Sequence, residues 1–187
     1  KYSVGTVYIL GGSRALTGAP LMAAEAAMRA GAGAVVLGVP GSVHPVIARR
    51  AVEVMIDPLP ETAHGTVSRE ASSAVMERAA WADAVAVGPG LARDEETAAV
   101  VRALLASDRP LVIDADALGM LRGAEGLLRR RNGRTLLTPH AGEFCRMTGV
   151  DARELERDRV ATLRTWADRL RCAILLKGSP TLVAEPG

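Results

Sequence analysis

Short aliphatic runs alternate along this chain with longer alanine-rich stretches of helical spacing, and this alternation constrains the fold more tightly than any other feature. Runs such as Ala34–Val39 and Ala84–Val87 are continuously apolar. A strand of that kind has no solvent face, so it belongs in a parallel sheet with helices on both sides. The reading places strands at Thr6–Leu10, Ala34–Val39, Ala84–Val87, Leu111–Asp114, Arg134–Leu137 and Ala173–Leu176, with a short one near Thr181–Ala184. Helical spacing covers Ala19–Ala30, Asp94–Ala106 and Leu155–Leu170. In the last of these, Leu155, Val160, Leu163, Trp166, Ala167 and Leu170 recur at threes and fours as an inward stripe. Arg157, Arg159, Arg164 and Arg169 then read as its solvated face. Pro45, Pro58 and Pro60 interrupt the stretch Pro40–Gly65, which reads as irregular. With no repeat or linker, the 187 residues are expected to form one α/β domain, 1-187, with a central, mainly parallel sheet flanked by helices.

Composition removes several classes of function. Aromatic residues make up 3% of the chain, so the core is aliphatic and there is no base-stacking platform. A net charge of +2 gives no electrostatic case for nucleic acid or a membrane surface. No apolar run reaches the roughly 20 residues of a membrane span, and no signal segment opens the sequence. Cys145 and Cys172 have neither metal nor redox spacing and read as reduced core thiols, which points to a cytoplasmic protein. Nearly every cation is arginine; the lysines are Lys1 and Lys177 alone.

In a parallel α/β sheet, ligands bind beyond the carboxyl ends of the strands, so the segments that follow each strand carry the functional information. Gly11-Gly12-Ser13-Arg14-Ala15-Leu16-Thr17-Gly18-Ala19 leads into a helix; it is either a plain turn or an anion-receiving backbone loop, and it matches neither the P-loop nor G-x-G-x-x-G. Gly88-Pro89-Gly90-Leu91 is a tight turn that leaves space above the sheet. Asp114 and Asp116 end the next strand, where Asp116 either caps the following helix or contacts a magnesium or phosphate region. In Thr138-Pro139-His140-Ala141-Gly142-Glu143-Phe144, Thr138 or His140 would point toward the same edge and Glu143 sits near the start of a short helix; taken alone, His140 is either a structural or surface residue or part of a site. Lys177-Gly178-Ser179-Pro180-Thr181 brings a lysine out of a buried strand end. Its ammonium needs an anion there, either a ligand phosphate or a carboxylate of the protein. His44 and His64, in irregular stretches, read as structural or surface residues.

Taken in order, Gly11-Gly12-Ser13…Thr17-Gly18-Ala19, Arg29-Ala30-Gly31-Ala32-Gly33, Gly88-Pro89-Gly90-Leu91, Asp114-Ala115-Asp116-Ala117-Leu118, Thr138 to Phe144 and Lys177-Gly178 resemble the NAD(P)H-hydrate dehydratase family over essentially the whole chain. Thr-Pro-His-x-Gly-Glu-Phe is its most specific element; ribokinase-like kinases share the others in looser form. The resemblance implies a ribokinase-like fold and a lyase that uses ADP or ATP with magnesium. Phosphorylation of the hydroxyl of the 6S hydrate of NADH or NADPH, then loss of phosphate, restores the reduced dinucleotide. It further implies that Ala19, Gly90, His140 and Glu143 lie at the hydrate and that Lys177, Gly178, Ser179, Pro180 and Thr181 lie along the nucleotide phosphates. No protein metal ligand is implied. A homo-oligomer, with a tetramer as one form, and a functional link to an NAD(P)H-hydrate epimerase are also implied.

Family members continue past the lysine segment to a Gly-Thr/Ser-Gly-Asp element whose Asp is the presumed base. The catalytic Asp is therefore expected beyond Gly187, and the sequence is expected to be a fragment with its C-terminal part missing. Two readings compete with the dehydratase: a ribokinase-like vitamin kinase of the hydroxyethylthiazole-kinase type, and a catalytically silent nucleotide-binding module.

Overall fold

The structure, a computed structural model, describes residues 4–187. One eight-stranded sheet runs through it in the order β3-β2-β1-β4-β5-β6-β7-β8. The strands are β1 Thr6–Leu10, β2 Ala34–Pro40, β3 Met55–Leu59, β4 Ala84–Val87, β5 Leu111–Ile113, β6 Thr135–Leu137, β7 Ala173–Leu176 and β8 Leu182–Ala184. All pairs are parallel except β7 with β8, which are antiparallel. The helices are α1 Gly18–Arg29, α2 His44–Ala48, α3 Ser72–Trp81, α4 Glu95–Leu104, α5 Asp116–Met120, α6 Glu125–Arg129, α7 Ala141–Thr148, α8 Ala152–Arg157 and α9 Arg159–Leu170. The mainly parallel, helix-flanked sheet expected from the sequence is present.

Alternation within the strands builds two cores. Ile9, Val35, Leu37 and Val39 pack with Leu21 and Ala24 of α1 and Ile47 of α2 on one face. Tyr8, Leu10, Val36, Ile113, Leu137 and Ile174 join Val75 of α3, Val101 of α4, Phe144 of α7 and Trp166 of α9 on the other. Coverage of both faces fails over the second half of the sheet. Val112 of β5 is 37% exposed and Val183 of β8 is 63% exposed, while Leu136 and Leu175 between them are half-buried. This face of β5–β8 therefore carries an uncovered aliphatic strip among the described residues.

Other expectations need correction. The segment Leu155–Leu170 is not one helix: Asp158 leaves helical geometry and accepts a hydrogen bond from the Ala161 amide, opening α9 afresh after α8. Val160, expected on the inward stripe, is 48% exposed because the break shifts the helical phase. The irregular stretch contains α2 and the edge strand β3, where Pro58 is tolerated as an edge residue can be. The solvated arginine face is also incomplete. Arg157, Arg164 and Arg169 are exposed as expected, the last stacked over the Trp166 ring at 4.5 Å, but Arg159 is partly buried with a buried Nε. Cys172 is buried and free, its thiol pushed up to about 12 by desolvation, and Cys145 is free and partly buried.

Candidate active site at the sheet edge

Backbone hydrogen bonds continue the sheet ladder past the strand ends and lay the loops side by side. Gly88 donates to the Leu10 carbonyl at 3.1 Å, Asp114 to Val87 at 3.0 Å, Thr138 to Ile113 at 3.1 Å and Lys177 to Pro139 at 2.8 Å. The first loop joins from the side, with the Gly12 amide donating to the Pro89 carbonyl at 2.9 Å. Loops distant in sequence thus form one continuous rim. Two glycines make the close approaches feasible. Gly88 has φ +131° and passes so near the Asp114 carbonyl that a Cβ would overlap it. Gly90 has φ +69°, and its Cβ would lie 2.8 Å from the Leu16 carbonyl oxygen.

Gly90 is buried in this crossing, whereas Ala19 is exposed in the first turn of α1. Thr17, which precedes that turn, places no side-chain cap on it. Beyond β4 and β5, two alanines adopt left-handed backbone, Ala92 at φ 58° and Ala115 at φ 52°. Such residues cost about 1–3 kcal/mol each and persist only where their surroundings hold them. Asp116 holds the first of them: its Oδ2 accepts the Ala92 amide at 3.0 Å. It therefore does not cap its own helix as one sequence reading allowed; Ala115 is the N-cap of α5.

His140 caps α7. Its Nδ1 accepts the amides of Gly142 at 3.0 Å and Glu143 at 3.3 Å, while Glu143 Oε2 accepts the His140 amide at 2.9 Å. This reciprocal capping box occupies Nδ1 as an acceptor and thereby assigns the ring proton to Nε2. The Nε2 edge lies 3.4 Å from Glu143 Oε1, on an imidazole whose side chain is 53% exposed. The fixed ring leaves its outer edge at the rim.

Lys177 joins three strand ends. Its Nζ lies 2.8 Å from Asp114 Oδ1 and 3.8 Å from Glu143 Oε2, and its backbone runs as an isolated bridge beside His140. One of the two partners foreseen for this ammonium, a carboxylate of the protein, is supplied by Asp114. Asp114, weighed in the sequence only as one of two acidic groups, is the residue at the centre. Its partner is 63 residues away, a pairing no local pattern could reveal. Gly178, Ser179, Pro180 and Thr181 form the exposed β7–β8 turn, closed by Thr181 Oγ1 donating to the Gly178 carbonyl at 3.0 Å. The structure thus brings Glu143, His140 and Lys177 together, joins Gly90 to them along the rim, and sets Ala19 on the flank. No group of three or more His, Cys, Asp or Glu side chains forms a metal cage among the described residues.

The sequence profile of the NAD(P)H-hydrate dehydratases matches residues 7–187. The chain belongs to the NAD(P)H-hydrate dehydratase family. A bifunctional NAD(P)H-hydrate repair enzyme from Moorella thermoacetica is 42% identical over 183 residues, covering 97% of this chain and 34% of that protein. The chain therefore spans about a third of that relative's length. The crystal structure of an ADP/ATP-dependent NAD(P)H-hydrate dehydratase from Bacillus subtilis, co-crystallized with ATP/Mg2+ and soaked with CoA, aligns with TM-score 0.76 and 34% identity. It is matched over 100% of this chain and 64% of that one. A ribokinase-like superfamily protein from Enterococcus faecalis V583 aligns with TM-score 0.80 at 23% identity, which establishes the ribokinase-like fold alone. The matched span includes every loop of the rim from Gly11 to Thr181.

Proposed function

We propose that this chain forms the body of an ADP- or ATP-dependent dehydratase that returns the 6S hydrate of NADH or NADPH to the reduced dinucleotide. The observation that carries the reading is the gathering of Lys177, Asp114, Glu143 and the capped His140 beside a glycine-crossed rim. Phosphoryl transfer depends chiefly on positioning and charge neutralisation, and a rigid rim of backbone and fixed side chains supplies both. In this reading Ala19, Gly90, His140 and Glu143 face the hydrate, with His140 offering its Nε2 edge. Lys177, Gly178, Ser179, Pro180 and Thr181 run along the nucleotide phosphates. A phosphate would exchange Asp114 as the partner of the Lys177 ammonium.

In this reading magnesium rides on nucleotide phosphates and water, as that ion often does; no cage of three or more His, Cys, Asp or Glu side chains forms among the described residues. None of the carboxylates at the rim is assigned as the base: Asp114 is paired with Lys177, and Asp116 holds the Ala92 amide. The proposal extends to residues 1-187 as a single domain, a cytoplasmic setting, a homo-oligomer and a functional link to an epimerase of the same hydrates. The bifunctional repair relative supports the last point, and no helix among the described residues is long and apolar enough to cross a membrane.

The test is recovery of absorbance at 340 nm when the full-length protein meets NADH hydrate with ADP or ATP and magnesium. Recovery supports the dehydratase; no recovery, with phosphorylation of hydroxyethylthiazole instead, moves the chain to the vitamin kinases. Binding of nucleotide with neither reaction would point to the silent module. At the site, Lys177→Ala is expected to weaken ADP binding without unfolding the protein. Unchanged ADP affinity with lower stability would leave the lysine as an ion-pair residue only. His140→Ala is expected to raise the KM for the hydrate more than that for the nucleotide.

A further inference from the structure

The Lys177 ammonium is neutralised twice over, by Asp114 at 2.8 Å and by Glu143 at 3.8 Å. One cation among two carboxylates is weak equipment for receiving a nucleotide diphosphate, so a second cation is needed near the same turn. Arg159 stands there. It is the first residue of α9, and α9 runs antiparallel to β7, so its N-terminus reaches the edge where the Lys177–Thr181 turn emerges. The guanidinium lies against Gly178 so closely that a Cβ at that position would collide with it. Its Nε is buried without a hydrogen-bond partner, and among the described residues no carboxylate lies within 4.0 Å of it. An unpartnered buried guanidinium nitrogen costs free energy unless a ligand or water satisfies it. The local acid that might have paired with it, Asp158, is committed to the Ala161 amide at 2.9 Å. Gly178 matters here for its missing side chain, which leaves the guanidinium in contact with the backbone of the turn.

We infer that Arg159 is a phosphate-contacting residue of the nucleotide site, placed across Gly178 from Lys177 and binding the diphosphate of ADP or the polyphosphate of ATP. The inference rests on the assignment of the Lys177–Thr181 turn to the nucleotide. Its planar fork can grip two phosphate oxygens at once, which the ion-paired lysine cannot do.

The test is calorimetric titration of the full-length protein with ADP, comparing the parent with Arg159→Met, Arg159→Lys and Lys177→Ala, alongside ligand-free thermal midpoints. Arg159→Met is expected to lose roughly ten- to hundred-fold in ADP affinity, the scale of one charge-assisted hydrogen bond, with its ligand-free midpoint little changed. Arg159→Lys is expected to recover part of that loss, because it keeps the charge but not the fork. Loss with Lys177→Ala but affinity within two-fold of the parent for Arg159→Met overturns this inference and leaves the turn's assignment standing. No loss in either variant overturns both. Should Arg159→Met fail to fold, Arg159→Lys decides: full ADP affinity at physiological salt defeats the bidentate contact.

Discussion

At the scale of single residues, side chains spend their polar atoms on backbone before they offer any to a ligand. Asp83 shows the pattern away from the site. Its Oδ2 accepts both the amide and the hydroxyl of Thr6, at 2.8 and 3.0 Å, and so pins the start of β1 to the turn before β4. Those bonds, the backbone one foremost, hold the Asp83 carboxyl below its ordinary range. A carboxyl depressed in the folded state stabilises the protein above its unfolded value of about 4, and that contribution disappears as pH falls through the folded value. Asp83→Asn should therefore be less stable than the parent at pH 7 in urea titrations, and the gap should close as the pH falls through the depressed folded value. A gap independent of pH would mean that the charge contributes nothing. His140 follows the same economy. The sequence placed Glu143 near a helix start, but it could not show that His140 caps that helix through Nδ1, which leaves the Nε2 edge, beside Glu143 Oε1, at the rim.

At the scale of elements, α7 links the core to the rim. Its first residues build the capping box, and four positions after His140 the fully buried Phe144 meets Trp166 of α9 edge-on, with centroids 6.3 Å apart. Phe144→Ala should cost about 3–5 kcal/mol in urea denaturation followed by tryptophan fluorescence, because the cavity opens between two helices that cannot both close over it. A loss under 1 kcal/mol would show that α7 is seated by its cap instead. Helix and strand identities were legible wherever pattern and burial agree: β1, β4 and β7 lie where the aliphatic runs put them. β3 was hidden by Pro58, since proline argues against a strand except at an edge, and edge position is a tertiary fact. The α8–α9 break was hidden because Asp158 interrupts a run whose apolar spacing nearly survives it. Asp114 and Arg159 stayed obscure for a related reason. Their partners, Lys177 and Gly178, both lie at the end of β7, and only the folded structure brings them near.

For the whole molecule, the two halves of the sheet differ in how they are covered. Helices α1 and α2 close one face over β1–β3, but over β5–β8 the strip from Val112 to Val183 faces outward among the described residues. A continuous aliphatic strip on a structure of low net charge is poorly protected against self-association. These 187 residues prepared as an isolated polypeptide should bind the dye ANS and associate increasingly as sulfate is added, read by light scattering. Val112→Lys combined with Val183→Lys should suppress both effects, and an unchanged dye signal would locate the sticky surface elsewhere. The same strip sets a handling rule for anyone growing crystals or formulating this polypeptide. Precipitants that salt out apolar surface will drive copies together through that strip before they order a lattice, so low-salt conditions with a mild surfactant are the better starting point.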